Sequence, residues 1–202
     1  MANNVAVAID FGNFKLRLGV NYNNKVEIIK NEENYSSFSQ ILIVKEKNRC
    51  FGTEAERNYA GKYNNCFKEF KYNFLKRFER NNYCAIIEVL KYYKSMSEEY
   101  VRNRFNKGIE NINKVILTIP SYDFYNKDIW KYCLYECSRE AGFKEIITVY
   151  EEMAACLYYN MNISEQNEKH FYCIFNLGSL FFFSSVYDKS GINLHQIKNY
   201  LI

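Results

Sequence analysis

The order of elements over residues 115–176 constrains this chain most. The apolar run Lys114-Val115-Ile116-Leu117-Thr118-Ile119 has strand length and stops at Pro120, the single proline. A helical pattern follows, with Ile129, Cys133, Cys137 and Ala141 spaced to share one face and Gly142 placed to end it. Ile146 to Val149 reads as a second strand. Glu151 to Asn160 reads as a second helix, with Met153, Leu157 and Met161 on a common face. A third strand closes the series at residue 176. Strands alternating with helices in this way predict an α/β fold.

Upstream, Val5-Ala6-Val7-Ala8-Ile9 reads as a strand, and Leu16 to Val20 and Lys25 to Ile29 as hairpin-like pieces around an Asn-rich turn, Asn21 to Asn24. Gly52-Thr53-Glu54-Ala55-Glu56 has the form of a capping box, Thr53 reaching the Glu56 amide and Glu56 reaching back. It predicts a short helix over 54–60, stopped by Gly61. From Ala85 to Phe105, the helical spacing of Ile86, Leu90, Tyr93, Tyr100 and Val101 predicts the longest helix. Phe171 to Tyr187 carries no charge over 17 residues. That is short of the roughly 20 residues that span hydrocarbon, and Asn176, Gly178, Ser179, Ser184 and Ser185 interrupt it. Two buried strands around a turn are the better reading.

With 202 residues, 48% apolar and 25% charged, the chain has enough apolar surface for one large or two small folded domains. Tyr (19), Phe (16) and Asn (26) abound while Gly (8) and Pro (1) are scarce. These abundant types share A+T-rich codons, so drift accounts for them before adaptation does. The net charge of +4, from 27 basic and 23 acidic residues, is small and scattered, which gives no nucleic-acid signal. Seven cysteines without a CxxC pair predict free thiols in a reducing compartment. Cys133 and Cys137 lie one helical turn apart, but with no nearby third ligand they read as core thiols rather than zinc ligands. Val5 to Ile9 lacks a preceding positive charge and stops at Asp10, so no signal peptide is expected; the chain reads as cytoplasmic, with no membrane partner. His170 and His195 receive no role.

One internal echo carries chemistry. Val7-Ala8-Ile9-Asp10-Phe11-Gly12 and Cys173-Ile174-Phe175-Asn176-Leu177-Gly178 share the form apolar, apolar, Asp or Asn, apolar, Gly. Strand, acid, glycine, strand is an arrangement in which a hairpin turns its amides onto a phosphate while the acid reaches a hydrated metal ion. Either copy alone is a plain hairpin turn as readily as a site; two copies bracketing an α/β segment favour the site.

These residues resemble the first lobe of the nucleotide-binding domain of the heat shock protein 70 family, within the actin-like ATPases. Asp10 to Phe14 is similar to the family's first phosphate loop, and Lys25 to Ile29 with Asn31 to its next strand and turn. Gly52 to Tyr59 resembles the helix after the "IG-AA" step. Phe70-Lys71-Tyr72, with Lys76-Arg77 beyond, is similar to a segment whose lysine lies by the γ-phosphate, and Phe before that lysine resembles the larger, 110-type branch. Ile119-Pro120-Ser121-Tyr122 resembles "VPAY". Ala141-Gly142-Phe143 through Glu151-Glu152-Met153-Ala154-Ala155 resembles "AGLNVLRIINEPTAA", which puts Glu151 on the family's catalytic-site glutamate. Phe175-Asn176-Leu177-Gly178 resembles "FDLGGGTFD", the second phosphate loop. The resemblance implies a ribonuclease-H-like, actin-like lobe over 1–202: a mixed central sheet with a hairpin start and flanking helices. It also implies remnant catalytic residues Lys71 and Glu151, remnant phosphate loops at Asp10, Gly12, Asn13, Asn176 and Gly178, and Asp10 as a weak, water-mediated Mg²⁺ ligand.

The departures from the family pattern bear on function. Asn176 replaces the metal-site aspartate, Ser179 and Leu180 replace glycines, and Phe181 and Phe183 stand where the family has a threonine and an aspartate. An amide is a poor partner for hydrated Mg²⁺, and phenyl rings strip a triphosphate of water without returning hydrogen bonds. Asn13, Phe14 and Lys15 replace the polar start of the first loop. The outer subdomain is reduced between Arg77 and Cys84, a small insertion follows Pro120, and Ile202 falls where the second lobe is expected to begin, so half a site is expected. The expectation is a degenerate chaperone lobe, an eroded pseudo-ATPase that binds protein partners, another chaperone or a ribosome-associated assembly. No cofactor is expected for this chain alone, with ATP and Mg²⁺ if the site still functions. The alternative is an ATP-binding chaperone or nucleotide exchange factor with little or no hydrolysis. In plainer readings Asp10 is a turn residue, Lys71 a solvated lysine, Glu151 a first-turn helix acid, and Phe181 to Phe183 a core or interface strand.

Overall fold

A computed structural model describes residues 5–45, 48–58, 66–76, 80–105, 111–121, 127–161, 170–177, 182–190 and 193–201. In chain order these form β1 (Val5–Phe11), β2 (Lys15–Tyr22), β3 (Lys25–Ile29), β4 (Phe38–Ser39), β5 (Ile41–Lys45), β6 (Asn48–Phe51), α1 (Gly52–Asn58), β7 (Cys66–Lys68), α2 (Phe70–Lys76) and α3 (Arg80–Phe105). They continue as β8 (Lys114–Ile119), α4 (Lys127–Glu140), β9 (Glu145–Tyr150), α5 (Glu151–Met161), β10 (His170–Leu177), β11 (Phe182–Ser190) and β12 (Asn193–Leu201).

The main sheet is mixed and runs β3-β2-β1-β8-β9, with β4 also on β2. β1, β2 and β3 form an antiparallel meander, and β8 and β9 add parallel strands on the other side of β1. The β2-β3 hairpin turns at Asn23 and Asn24, whose positive φ of 49° and 65° gives the tight turn that matches strand twist. Alternate residues of β1, Val7, Ile9 and Phe11, join Leu16 and Leu18 of β2 and Val115 and Leu117 of β8 in a core closed by α3 and α4. The Phe11 ring meets the edge of Trp130 at 5.5 Å. Each such fully buried large side chain contributes about 1.5–3 kcal/mol. At the end of α4, Gly142 takes φ 93° while the Phe143 N–H donates to the Ser138 carbonyl and the Gly142 N–H to Arg139, a Schellman stop where the glycine was expected.

Two small antiparallel sheets complete the structure, β6-β5-β7 beside α1 and β10-β11-β12 beside α5. Among the described residues no helix is long and apolar enough to cross a membrane.

Several local expectations are corrected. Ile129 is exposed and Trp130 is the buried residue of that turn, because the indole docks on Phe11 and sets the face of α4. In α5 Leu157 is exposed, and Glu152 and Cys156 are buried instead. The Thr53 capping box is not how α1 is held: Thr53 Oγ1 accepts from Asn31 Nδ2 at 2.9 Å, and the Glu56 carboxylate takes Ser39 and Lys15. β10 and β11 are paired antiparallel strands, but Phe171, Phe175 and Leu177 are exposed rather than in a core, and residues 178–181 between the strands lie outside the described residues. Gly61 lies outside the described residues.

Candidate functional site

Parallel strands β1, β8 and β9 end on the same side of the main sheet, the side on which α/β sheets bind ligands. Asp10 near the end of β1, Thr118 near the end of β8 and Glu151 just after β9 are therefore brought to one rim. Of the residues read from sequence, Asp10, Gly12, Asn13 and Glu151 come to this rim, and Lys71 and Asn176 reach it through Glu151. Gly178 lies outside the described residues.

Asp10 is held on both oxygens. Thr118 Oγ1 donates to Oδ1 at 3.0 Å, and Arg17 Nη1 donates to Oδ2 at 3.0 Å from the position directly opposite on β2. Thr118 in turn accepts the Phe11 N–H at 3.0 Å, tying the loop to β8. The Asp10–Arg17 pair is half-exposed, so it is worth about 0–1 kcal/mol, but it places a guanidinium where the resemblance implies hydrated metal.

The loop from Gly12 to Phe14 is closed from below by Gln40. The Gln40 Nε2 donates to the Gly12 carbonyl and its backbone N–H donates to the Phe14 carbonyl at 3.0 Å. A Cβ on Gly12 would stand 2.8 Å from the Lys15 carbonyl oxygen, so the glycine is demanded by close backbone approach. The buried Asn13 Oδ1 has no hydrogen-bond partner. Lys15 turns outward, donating to Ser39 Oγ at 2.6 Å and pairing with Glu56 at 3.2 Å. The Ser39 hydroxyl, and then Lys15, hold the Glu56 carboxyl below its usual range.

The second cluster forms around Glu151 and Glu152. Lys71, the second residue of α2, is 1% exposed, which corrects the solvated-lysine reading. Its ammonium donates to Glu151 Oε1. Asn176 Nδ2 donates to Glu151 Oε2 at 3.1 Å and to Glu152 Oε1 at 3.1 Å, so one amide bridges two acids. Glu152 is itself 1% exposed, and its Oε2 has no hydrogen-bond partner. Burial pushes the phenol of Tyr187 up, and the Glu152 charge adds to that.

As arranged, these side chains do not fit a magnesium polyphosphate. Asp10 is satisfied by a guanidinium and a hydroxyl, Lys71 by Glu151, and the amide of Asn176 presents protons to two carboxylates, the reverse of what a cation needs. Among the described residues no group of three His, Cys, Asp or Glu side chains could hold a metal ion. Cys133 and Cys137 are buried in the core with their sulfurs 3.7 Å apart.

Sequence reasoning missed Arg17, Gln40, Thr118 and the role of Glu152. Arg17 was legible in principle: on a two-residue period it sits opposite Asp10 once the hairpin register is known. Gln40 and Thr118 act from distant segments, and no local pattern marks them. No family model matches the chain, and no curated protein matches it.

Proposed function

We propose that the chain is a degenerate heat shock protein 70-like chaperone lobe that serves as a non-catalytic protein-interaction module in a larger assembly. The sheet order, with its hairpin start and two added parallel strands, is compatible with an actin-like lobe. The observation that carries the reading is the Lys71–Glu151–Asn176–Glu152 network, in which the residues of the implied phosphate and metal site satisfy one another. A lysine and an amide donate to two carboxylates, so the donors and acceptors of the implied site are spent on one another in a largely buried setting. Opening such a network exposes an uncompensated charge, which costs about 3–5 kcal/mol for a buried pair. Turnover by positioned metal and phosphate needs those groups free.

Affinity isolation of the tagged chain from native extract, without added nucleotide, tests the module reading. A stoichiometric protein partner is expected, and recovery of the chain alone would overturn it.

A further inference from the structure

The two turns of the internal echo belong to different sheets, and a run of hydrogen bonds joins them. Gln40 grips the first loop twice, its Nε2 donating to the Gly12 carbonyl and its backbone N–H to the Phe14 carbonyl at 3.0 Å. On its other side the Gln40 carbonyl accepts the N–H of Glu69 at 3.2 Å, immediately ahead of α2. Two residues further on, Lys71 donates to Glu151, which accepts from Asn176 of β10 at 3.1 Å. Gln40, Phe70 and Lys71 are each 1% exposed, so a shift at one link passes to the next instead of being taken up by solvent.

Glu69 carries the strain in this run. Of the four non-glycine residues with positive φ among the described residues, three are asparagines, which take that conformation readily; Glu69, at 52°, is the fourth. Its neighbours hold it there. Lys68 before it is paired with Ile41 across β7 and β5, its own N–H is bound by Gln40, and its carbonyl accepts the Asn73 N–H at 2.9 Å in the first turn of α2. Freed from Gln40, a glutamate returns to negative φ, and a rotation at that point turns the start of α2 and moves Lys71 relative to Glu151. At the far end, β10 engages α5 through Asn176 on Glu151 and Glu152 and through Tyr172 against Tyr159 at 5.9 Å. A three-stranded sheet without such packing is marginal by itself.

We propose that Glu69 is a strained hinge that couples the two turns. With φ at 52° it sets α2 so that Lys71 meets Glu151 and the β10-β11-β12 sheet stays docked on α5; with φ relaxed the sheet is released. Movement of the Gly12–Phe14 loop is thereby read at β10. The two-state element is Glu69 itself, biased by the first turn through Gln40 and by the second through Asn176, and such a coupling acts equally in both directions.

Hydrogen exchange of the intact chain tests this with three variants. Glu69→Pro removes the N–H and fixes φ at about −65°, the relaxed state. Exchange at the amides of β10 and β11 is expected to rise about tenfold, with β1 and β8 as in the parent. Glu69→Gly keeps the N–H and takes positive φ freely, so parent-like exchange is expected. Asn176→Ala acts from the other end and is expected to speed exchange of the Gln40 amide. Unchanged exchange at β10 and β11 in Glu69→Pro, a rise shared equally by β1 and β8, a Glu69→Gly variant that behaves like Glu69→Pro, or a Gln40 amide indifferent to Asn176→Ala would each overturn the hinge.

Discussion

Gly12 and Glu27 illustrate how single positions are fixed by what lies next to them. The Lys15 carbonyl blocks any Cβ at Gly12, so Gly12→Ala must shift backbone, and we expect a loss of about 1–3 kcal/mol in urea denaturation. An unchanged midpoint would show that the loop has slack that the geometry denies. Lys25, then Arg104 and Tyr100, hold Glu27 down to about 2 from 4.5. Because the folded-state value is the depressed one, this contribution is present above about pH 4.5 and is lost as pH falls toward 2. Glu27→Gln is therefore expected to flatten the stability profile between these values, measured by denaturant midpoints across pH; an unaltered acid limb would contradict the assignment. Residue-level chemistry was legible in part. Asp10 stood out as an acid at the end of an apolar strand, and Lys71 and Glu151 stood out through the family resemblance, whereas Gln40, buried at 1% exposure and bonded to the first loop, lies 28 positions from its partner Gly12 and leaves no local trace.

Elements were legible where one period ran long enough. β8, with alternating buried Val115, Leu117 and Ile119, and α3, with Ile86, Leu90, Tyr93 and Val101 buried, have the predicted type and nearly the predicted bounds. The β6-β5-β7 sheet escaped because its strands are short and β7 reaches β5 from a distant segment. In α4 and α5 the helix was legible and its rotation was not, because Trp130 and Glu152 are positioned by tertiary partners rather than by spacing. The junction of α2, α5 and β10 carries the site, and its coupling is measurable. Lys71→Met leaves Glu151 without its ammonium and is expected to cost about 3 kcal/mol in urea denaturation. Adding Glu151→Gln is expected to recover part of that loss, and strictly additive costs would mean the two groups do not interact. Asn176→Asp replaces a donor shared by two acids with a third carboxylate, so a loss of about 1–3 kcal/mol at pH 7 is expected by the same method. A more stable variant would indicate a cation in the cluster.

The whole molecule is a mixed α/β structure in which a meander, repeated in sequence and in shape, frames the α/β segment. That repetition was readable from Asp10 and Asn176 because each falls at the end of an apolar strand two residues before a glycine. How each copy is covered was not readable, since Val5 to Phe11 and Phe171 to Leu177 are equally apolar while only the first is buried. The central claim is that the groups implied for phosphate and metal now serve one another. Isothermal titration of the intact chain with ATP, with and without Mg²⁺, tests it most directly. The account predicts no saturable heat in either case, and micromolar binding, above all binding strengthened by Mg²⁺, would contradict it.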